Sequence, residues 1–269
     1  MTAAITLPPT PSTADTTGRE DENISDAEYA PLIVEGDTSS ADIVTDETTQ
    51  NEKPEGRFGD EIAQIAAWVS IGVFTLITWG AVLKAHPLQL GWFFWHPVLQ
   101  SLALASFTYG ILTLQPTSQA STKLAGLTRH QRAVLYTGLP AILFGTLAIW
   151  VNKTLYQAPH ATSWHGLFGY ISVTWVVVQV LIGGGSVWFD GRLFGGNPKA
   201  KIVWKYHRAS GYLCFPMLLL TAYLGGAWSD WATNNTANWV RFVAYTVALA
   251  VTFVAVLARV RLSKMKFFR

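Results

Sequence analysis

Trp95-His96-Pro97-Val98-Leu99-Gln100-Ser101-Leu102-Ala103-Leu104-Ala105-Ser106-Phe107-Thr108-Tyr109-Gly110-Ile111-Leu112-Thr113-Leu114-Gln115 reads as a membrane span with a histidine at its mouth. No charged side chain follows His96 in this run, and about 20 apolar residues of helix suffice to cross a hydrocarbon core. Outward from it, His130, His165 and His207 each stand near the start of a comparable stretch, the four being 34, 35 and 42 residues apart. Ionisable residues in membrane spans are costly and functional by default. Consecutive spans run in opposite directions, so the spans headed by His96 and His165 start at one face of the membrane and those headed by His130 and His207 at the other. His96 can therefore meet His165, and His130 can meet His207. With spans of roughly 20 residues rising about 1.5 Å each, the two pairs are expected some 25–30 Å apart along the membrane normal.

The 269 residues have a mean hydropathy of +0.27, half of them hydrophobic and 13% charged, but two unlike parts hide in these averages. Through Glu61 lie fifteen of the seventeen acidic residues against only Arg19, Lys53 and Arg57. Such a segment cannot bury enough apolar surface to offset its ordering entropy. Beyond it stand sixteen Lys and Arg against Asp190 and Asp230. Six stretches there are long and apolar enough to span, at 62–84, 92–115, 130–151, 165–187, 207–228 and 239–261. The expected organisation is a disordered acidic tail (1–60), a membrane domain (61–262) and a short basic tail (263–269). The fold class is an all-α integral membrane protein of six helices, helices two to five forming a central four-helix bundle and helices one and six its periphery.

Trp92, Trp95, Trp150, Trp164, Trp188, Trp204, Trp228 and Trp239 gather at span ends, as interfacial anchors do. Lys123, Arg129, Arg132, Arg192, Lys199, Lys201, Lys205, Arg208, Arg259 and Arg261 all fall on the side shared by both termini; Lys84, Lys153 and Arg241 alone fall on the other. The positive-inside rule then makes both termini cytoplasmic, with His130 and His207 toward the cytoplasm. No charged-then-apolar leader opens the sequence, so the first span is expected to direct insertion. Cys214, the single cysteine, excludes an intrachain disulfide. Sequons at Asn23, Asn152 and Asn234 leave the orientation undecided.

Two imidazoles close both axial positions of a haem iron, leaving it to carry electrons rather than to activate oxygen, and helical bundles build such sites from facing helices. Two histidine pairs thus suit two bis-histidine b-type haems stacked across a bilayer, with His96, His130, His165 and His207 as iron ligands. Gly169 and Gly211, each four residues past a histidine, either leave room for a macrocycle or serve close helix packing. His86 and His160 lie in loops and read as solvated. The competing class is a non-enzymatic multispan transporter or scaffold whose histidines bind a metal or a proton.

These residues resemble the cytochrome b561 family over roughly 62–261. Trp95-His96-Pro97-Val98-Leu99 is similar to the family's His-Pro entry to helix two. Lys205-Tyr206-His207-Arg208-Ala209-Ser210-Gly211-Tyr212 is similar to its entry to helix five, in the short-looped branch of transmembrane reductases without an attached extracellular module. The resemblance implies six helices, two haems paired second helix with fourth and third with fifth, cytosolic ascorbate as donor, and monodehydroascorbate or a ferric chelate as acceptor. Two departures stand out. Tyr109-Gly110-Ile111-Leu112-Thr113-Leu114-Gln115 lacks the arginine that many ascorbate-using members place there, and Thr162-Ser163-Trp164 replaces a Ser-Leu-His-Ser-Trp signature.

Ascorbate is an anion at neutral pH, so Lys123, Arg129, Arg132, Lys205 and Arg208, which flank His130 and His207, are the candidate substrate-binding cations. The alternative is that they serve topology alone. There is no Gly-x-Gly-x-x-Gly and no soluble domain for flavin or nicotinamide. The expected surroundings are a lipid bilayer, a small-molecule or ferric-chelate acceptor, a homodimer as the assembly, and no nucleic acid. Glu28-Tyr29-Ala30-Pro31-Leu32-Ile33 can be read as an acidic dileucine or tyrosine-based sorting signal. If so read, the membrane is vacuolar or endosomal.

Overall fold

The computed structural model describes residues 56–115, 119–196 and 199–262. Most of the acidic tail with its Asn23 sequon and sorting-type motif, and the 263–269 tail, lie outside the described residues. Among those described there is no strand, and six helices are long and apolar enough to cross a membrane. The chain is an all-α integral membrane protein.

Helix α1 is Asp60–Lys84. Two short turns, Pro87–Leu90 and Gly91–Phe94, lead into α2, Trp95–Leu114. It stops where Gln115 turns extended (φ −90, ψ 144), the conformation that a following proline, Pro116, imposes on its predecessor. Helix α3 joins Ala120–Gln131, a π-helical turn Arg132–Gly138 and Leu139–Leu155. The wide turn comes just before Pro140, whose missing N–H and ring conflict with regular α-helical pairing to Tyr136. Helix α4 is Trp164–Gly185, with Ser163 Oγ accepting from the Gly166 N–H as its N-cap. Helix α5 is Lys199–Trp228. A short helix Asp230–Asn235 precedes α6, which runs Asn238–Arg241, a π turn Phe242–Val247 and Ala248–Ala258.

Helices α3 and α5 begin ten and eight residues before the starts expected from apolarity, at Ala120 and Lys199. Residues such as Ala, Leu, Lys and Gln propagate a helix in water as well as in lipid. Apolarity marks where a helix enters the membrane, not where it begins.

Hairpins α2–α3 and α4–α5 are each closely packed and touch one another only narrowly. Helices α1 and α6 pair along their lengths and lie against α2 and α5, so they form the periphery on one flank. Ile71, Phe74, Leu104, Phe107, Leu218, Leu219, Leu249 and Val256 join these helices in one apolar cluster. Lipid tails are as apolar as leucine, so packing and hydrogen bonds must hold helices together. Ser70 and Thr252 share a hydroxyl bond of 2.7 Å, Thr78 donates to Tyr245 Oη at 3.3 Å, and Trp79 Nε1 donates to Ser101 Oγ at 2.9 Å. At the Lys/Arg-rich end, buried Arg259 donates to the carbonyls of Asp60, Leu112 (3.3 Å) and Gln115 (2.9 Å), joining α6 to α1 and α2. Arg261 pairs with the Asp60 carboxylate at 2.7 Å.

Candidate functional site

The four span histidines come together in two pairs. His96 on α2 faces His165 on α4 with ring centroids 5.9 Å apart and planes at 76°. His130 on α3 faces His207 on α5 at 6.3 Å and 79°. Two imidazole–metal bonds of about 2 Å, with roughly 1.1 Å more from each nitrogen to its ring centre, place two axial imidazoles about 6.2 Å apart. Both pairs lie near that separation.

A carbonyl can only accept, so a ring nitrogen bonded to one carries the proton. His96 Nδ1 donates to the Gly145 carbonyl at 3.0 Å, His130 Nδ1 to Gly110 at 3.2 Å, and His165 Nδ1 to Thr221 at 2.9 Å. This fixes the tautomer with Nε2 unprotonated and able to ligate, the usual outer-shell arrangement of a metal-bound histidine. The donors and acceptors follow a rule. Within each hairpin, a helix offers the carbonyl fourteen residues past its own histidine to the histidine of its neighbour: Gly110 after His96, and Thr221 after His207. On α3 the interval from His130 to Gly145 is fifteen. The extra residue is accommodated by the π turn Arg132–Gly138 between them.

Fourteen residues of helix also set the distance between the two levels at about 21 Å. That is shorter than the 25–30 Å expected from whole spans, because His130 and His207 sit well inside α3 and α5 while only His96 and His165 stand at the start of their helices.

Two glycines complete the pairs. A Cβ on Gly183 would lie 2.7 Å from His207 Cε1, and one on Gly225 would lie 2.6 Å from His165 Cε1. Each stands eighteen residues past the histidine of its own helix and clears space for the neighbour's imidazole. Gly169 and Gly211 do not touch histidines; Cβ atoms there would make ordinary contacts with Thr221 (3.7 Å) and Gln179 (3.6 Å), which puts both on the α4–α5 packing face. The reading that singled out Gly169 and Gly211 by helical spacing missed Gly183 and Gly225. Only the neighbouring helix shows which glycine is needed.

Among the described residues no three or more His, Cys, Asp or Glu come together in a way that could hold a bare metal ion. A zinc-type site takes three or four protein ligands. Two opposed imidazoles with no third ligating side chain among the described residues instead suit a metal whose four equatorial positions are filled by a macrocycle. The donor set fits haem.

The five candidate cations divide. Arg129 and Arg132, both exposed, line an open groove of about 630 Å³ made by α2 and α3 alone, with Tyr109, Tyr136 and Ser106. Arg129 also reaches the Thr113 carbonyl at 3.5 Å. Lys205 and Arg208 lie on α5 outside this groove. Lys205 Nζ sits 5.2 Å over the Tyr206 ring, and Arg208 is close enough to act electrostatically on His207. Lys123 lies on the polar extension of α3, seven residues before His130. At the opposite end His86 and His160 are exposed. The His160 ring stacks on Trp150 at 6.0 Å, and Lys153 acts electrostatically on His165. In the sequence Lys153 reads only as a topology residue.

Residues 95–233, the segment that carries all four histidines, match the family described as eukaryotic cytochrome b561. Among curated proteins the chain is similar to the transmembrane reductase CYB561D2 of Bos taurus, 30% identical over 155 residues, which are 56% of this chain and 68% of that one. It is likewise similar to the transmembrane reductase CYB561D2 of Mus musculus, 29% identical over 168 residues, 60% of this chain and 72% of the relative. No solved structure matches it.

Proposed function

Because the chain belongs to the cytochrome b561 family, a family of b-type haem proteins, we propose that it is a transmembrane oxidoreductase with two haems, one held by His96 and His165 and the other by His130 and His207. The observation that carries this reading is the pair of imidazole couples at 5.9 and 6.3 Å, on opposite levels of one bundle. A bis-histidine haem supplies reversible one-electron transfer with both axial positions closed.

The protein's own residues do the rest. Backbone carbonyls orient the imidazoles, and the apolar bundle excludes water from between the two levels. The basic end faces the cytoplasm, on the positive-inside rule. There Lys123, Arg129, Arg132, Lys205 and Arg208 raise the local concentration of an anionic donor, and cytosolic ascorbate fits that requirement. The far end has fewer cations, but Lys153 lies close to the His96–His165 level and can attract an anionic acceptor such as monodehydroascorbate or a ferric chelate. The name of the two relatives, transmembrane reductase, supports a reductase that works across a membrane.

Purified protein should show a reduced six-coordinate b-type spectrum with two haems per chain, and vesicles loaded with a ferric chelate should reduce it when ascorbate is supplied at the basic face. A colourless preparation, or one haem per chain, defeats the proposal.

A further inference from the structure

The groove between α2 and α3 is graded along the membrane normal. At its basic end stand Arg129 and Arg132 on α3 and Tyr109 on α2, next to Gly110, whose carbonyl receives His130. Its deep end is lined by Ala105 on α2 and by Tyr136 and Thr137 on α3. Those two α3 residues lie seven and eight positions past Arg129, about 10–12 Å nearer the middle of the membrane. The cations thus stand where the apolar run of α3 begins, with small and amphipathic side chains below them. Arg132, Ala133, Tyr136 and Thr137 all belong to the π turn Arg132–Gly138, so the widened turn forms the α3 wall. Such turns recur at functional sites.

The groove opens away from the rest of the bundle. None of its lining residues comes from α1, α4, α5 or α6. Helix α2 meets α1 through Ser101 and α3 through Phe107 and Gly110, which leaves Ser106 and Tyr109 on a face turned to lipid. Tyr109 and Tyr136 are both exposed. Among the described residues neither arginine pairs with a carboxylate, and the Arg129 contact with the Thr113 carbonyl is long, at 3.5 Å. Ser106 Oγ donates to the Leu102 carbonyl of its own helix. The donors left for a ligand are two guanidinium groups and two phenols.

We propose that this groove binds one anionic phospholipid, its phosphate on Arg129 and Arg132 and the first methylenes of an acyl chain along Ala105 and Ala133. Guanidinium groups hold phosphate oxygens in pairs, and tyrosine rings favour the headgroup zone. A small anion from water would use the upper half of the groove and leave the apolar half to lipid. The proposal takes from the function above only the orientation that puts this end at the anionic cytoplasmic leaflet; it needs no haem. A filled groove neutralises Arg129 and Arg132 and leaves the attraction of an anionic donor to Lys123, Lys205 and Arg208.

The test is lipid retention by the full-length protein in detergent, titrated with phosphatidylserine or phosphatidylcholine and read by native mass spectrometry. Wild-type protein should hold one phosphatidylserine per chain at concentrations where phosphatidylcholine does not stay bound. Arg129→Gln with Arg132→Gln should weaken that binding about tenfold to thirtyfold. Ala105→Phe keeps both arginines and fills the groove, and it should lose the lipid as well. Lys205→Gln with Arg208→Gln removes the same charge from α5 and should retain it. Equal retention of the two lipids, wild-type retention in Ala105→Phe, or equal losses in the two double variants would overturn the proposal, as would displacement of phosphatidylserine by ascorbate. Should the Arg129 and Arg132 variant fail to fold, Ala105→Phe against the Lys205 and Arg208 variant decides. Wild-type protein that takes up no haem defeats the proposed function and leaves this test standing.

Discussion

The His96–His165 level and the His130–His207 level are built on one plan and finished differently. Each draws one imidazole from α2–α3 and one from α4–α5, and at each level one imidazole is seated on a glycine of the neighbouring helix. At the first level both Nδ1 atoms rest on backbone carbonyls. At the second, His130 rests on the Gly110 carbonyl and His207 on that of Gln179, but Arg208 lies close to His207, at the end where Arg259 and Arg261 lock α6 to α1. Backbone acceptors hold a ligand in a setting that substitution hardly alters, whereas surface charges leave it adjustable. The adjustable level is the one next to the proposed electron donor.

The strongest test of that contrast is ligand removal. His96→Ala and His130→Ala should each lower the haem content from two to one per chain and abolish transmembrane delivery. His130→Ala should remove the component that ascorbate reduces directly, and His96→Ala should spare it. Loss of the same spectral component in both variants would break the pairing.

Next in size is Arg259→Met. Three carbonyls lose a buried cation and Asp60 is left with its remaining partners, a cost of about 3 kcal/mol. Thermal unfolding in detergent should show the loss, with haem released first from the His130–His207 level because Arg259 braces that end. Arg259→Lys should rescue little, since an ammonium cannot reach three carbonyls on two helices in the geometry of a guanidinium.

Gly183→Ala and Gly225→Ala form a matched pair. Each puts a methyl group into an imidazole, an overpacking cost of about 2 kcal/mol. They should weaken haem retention at opposite levels, Gly183 at His207 and Gly225 at His165. Equal effects on both haems would mean that the α4–α5 interface yields as a whole.

The smallest effect is electrostatic. Lys205→Gln with Arg208→Gln should slow reduction by ascorbate about threefold to tenfold at low ionic strength, an effect that fades as salt is raised. Lys153→Gln should leave that step unchanged and act, if at all, on the acceptor side. A donor rate indifferent to both would assign the basic residues to topology alone.

Much of this is legible in the sequence. Apolar length gave six spans, and the direction of alternate helices put His96 opposite His165 and His130 opposite His207. Other features were not legible. Gly183 and Gly225 look like any glycines of a membrane helix. Arg259 looks like a positive-inside residue, although its guanidinium is buried across three helices. Helix starts at Ala120 and Lys199 escaped because polar helix formers continue a helix silently beyond the membrane.

What the sequence determined by itself is what depends on counting along the chain: span length, span parity and the residue at each mouth. What only the tertiary structure decided depends on the rotation of one helix against another: the carbonyl that receives each Nδ1–H and the glycines beneath His165 and His207. In water an apolar stripe marks the inward face of a helix and so fixes its rotation in the sequence. In lipid the outward face is as apolar as the inward one, the stripe is lost, and the rotation is set by contacts between residues far apart in the chain.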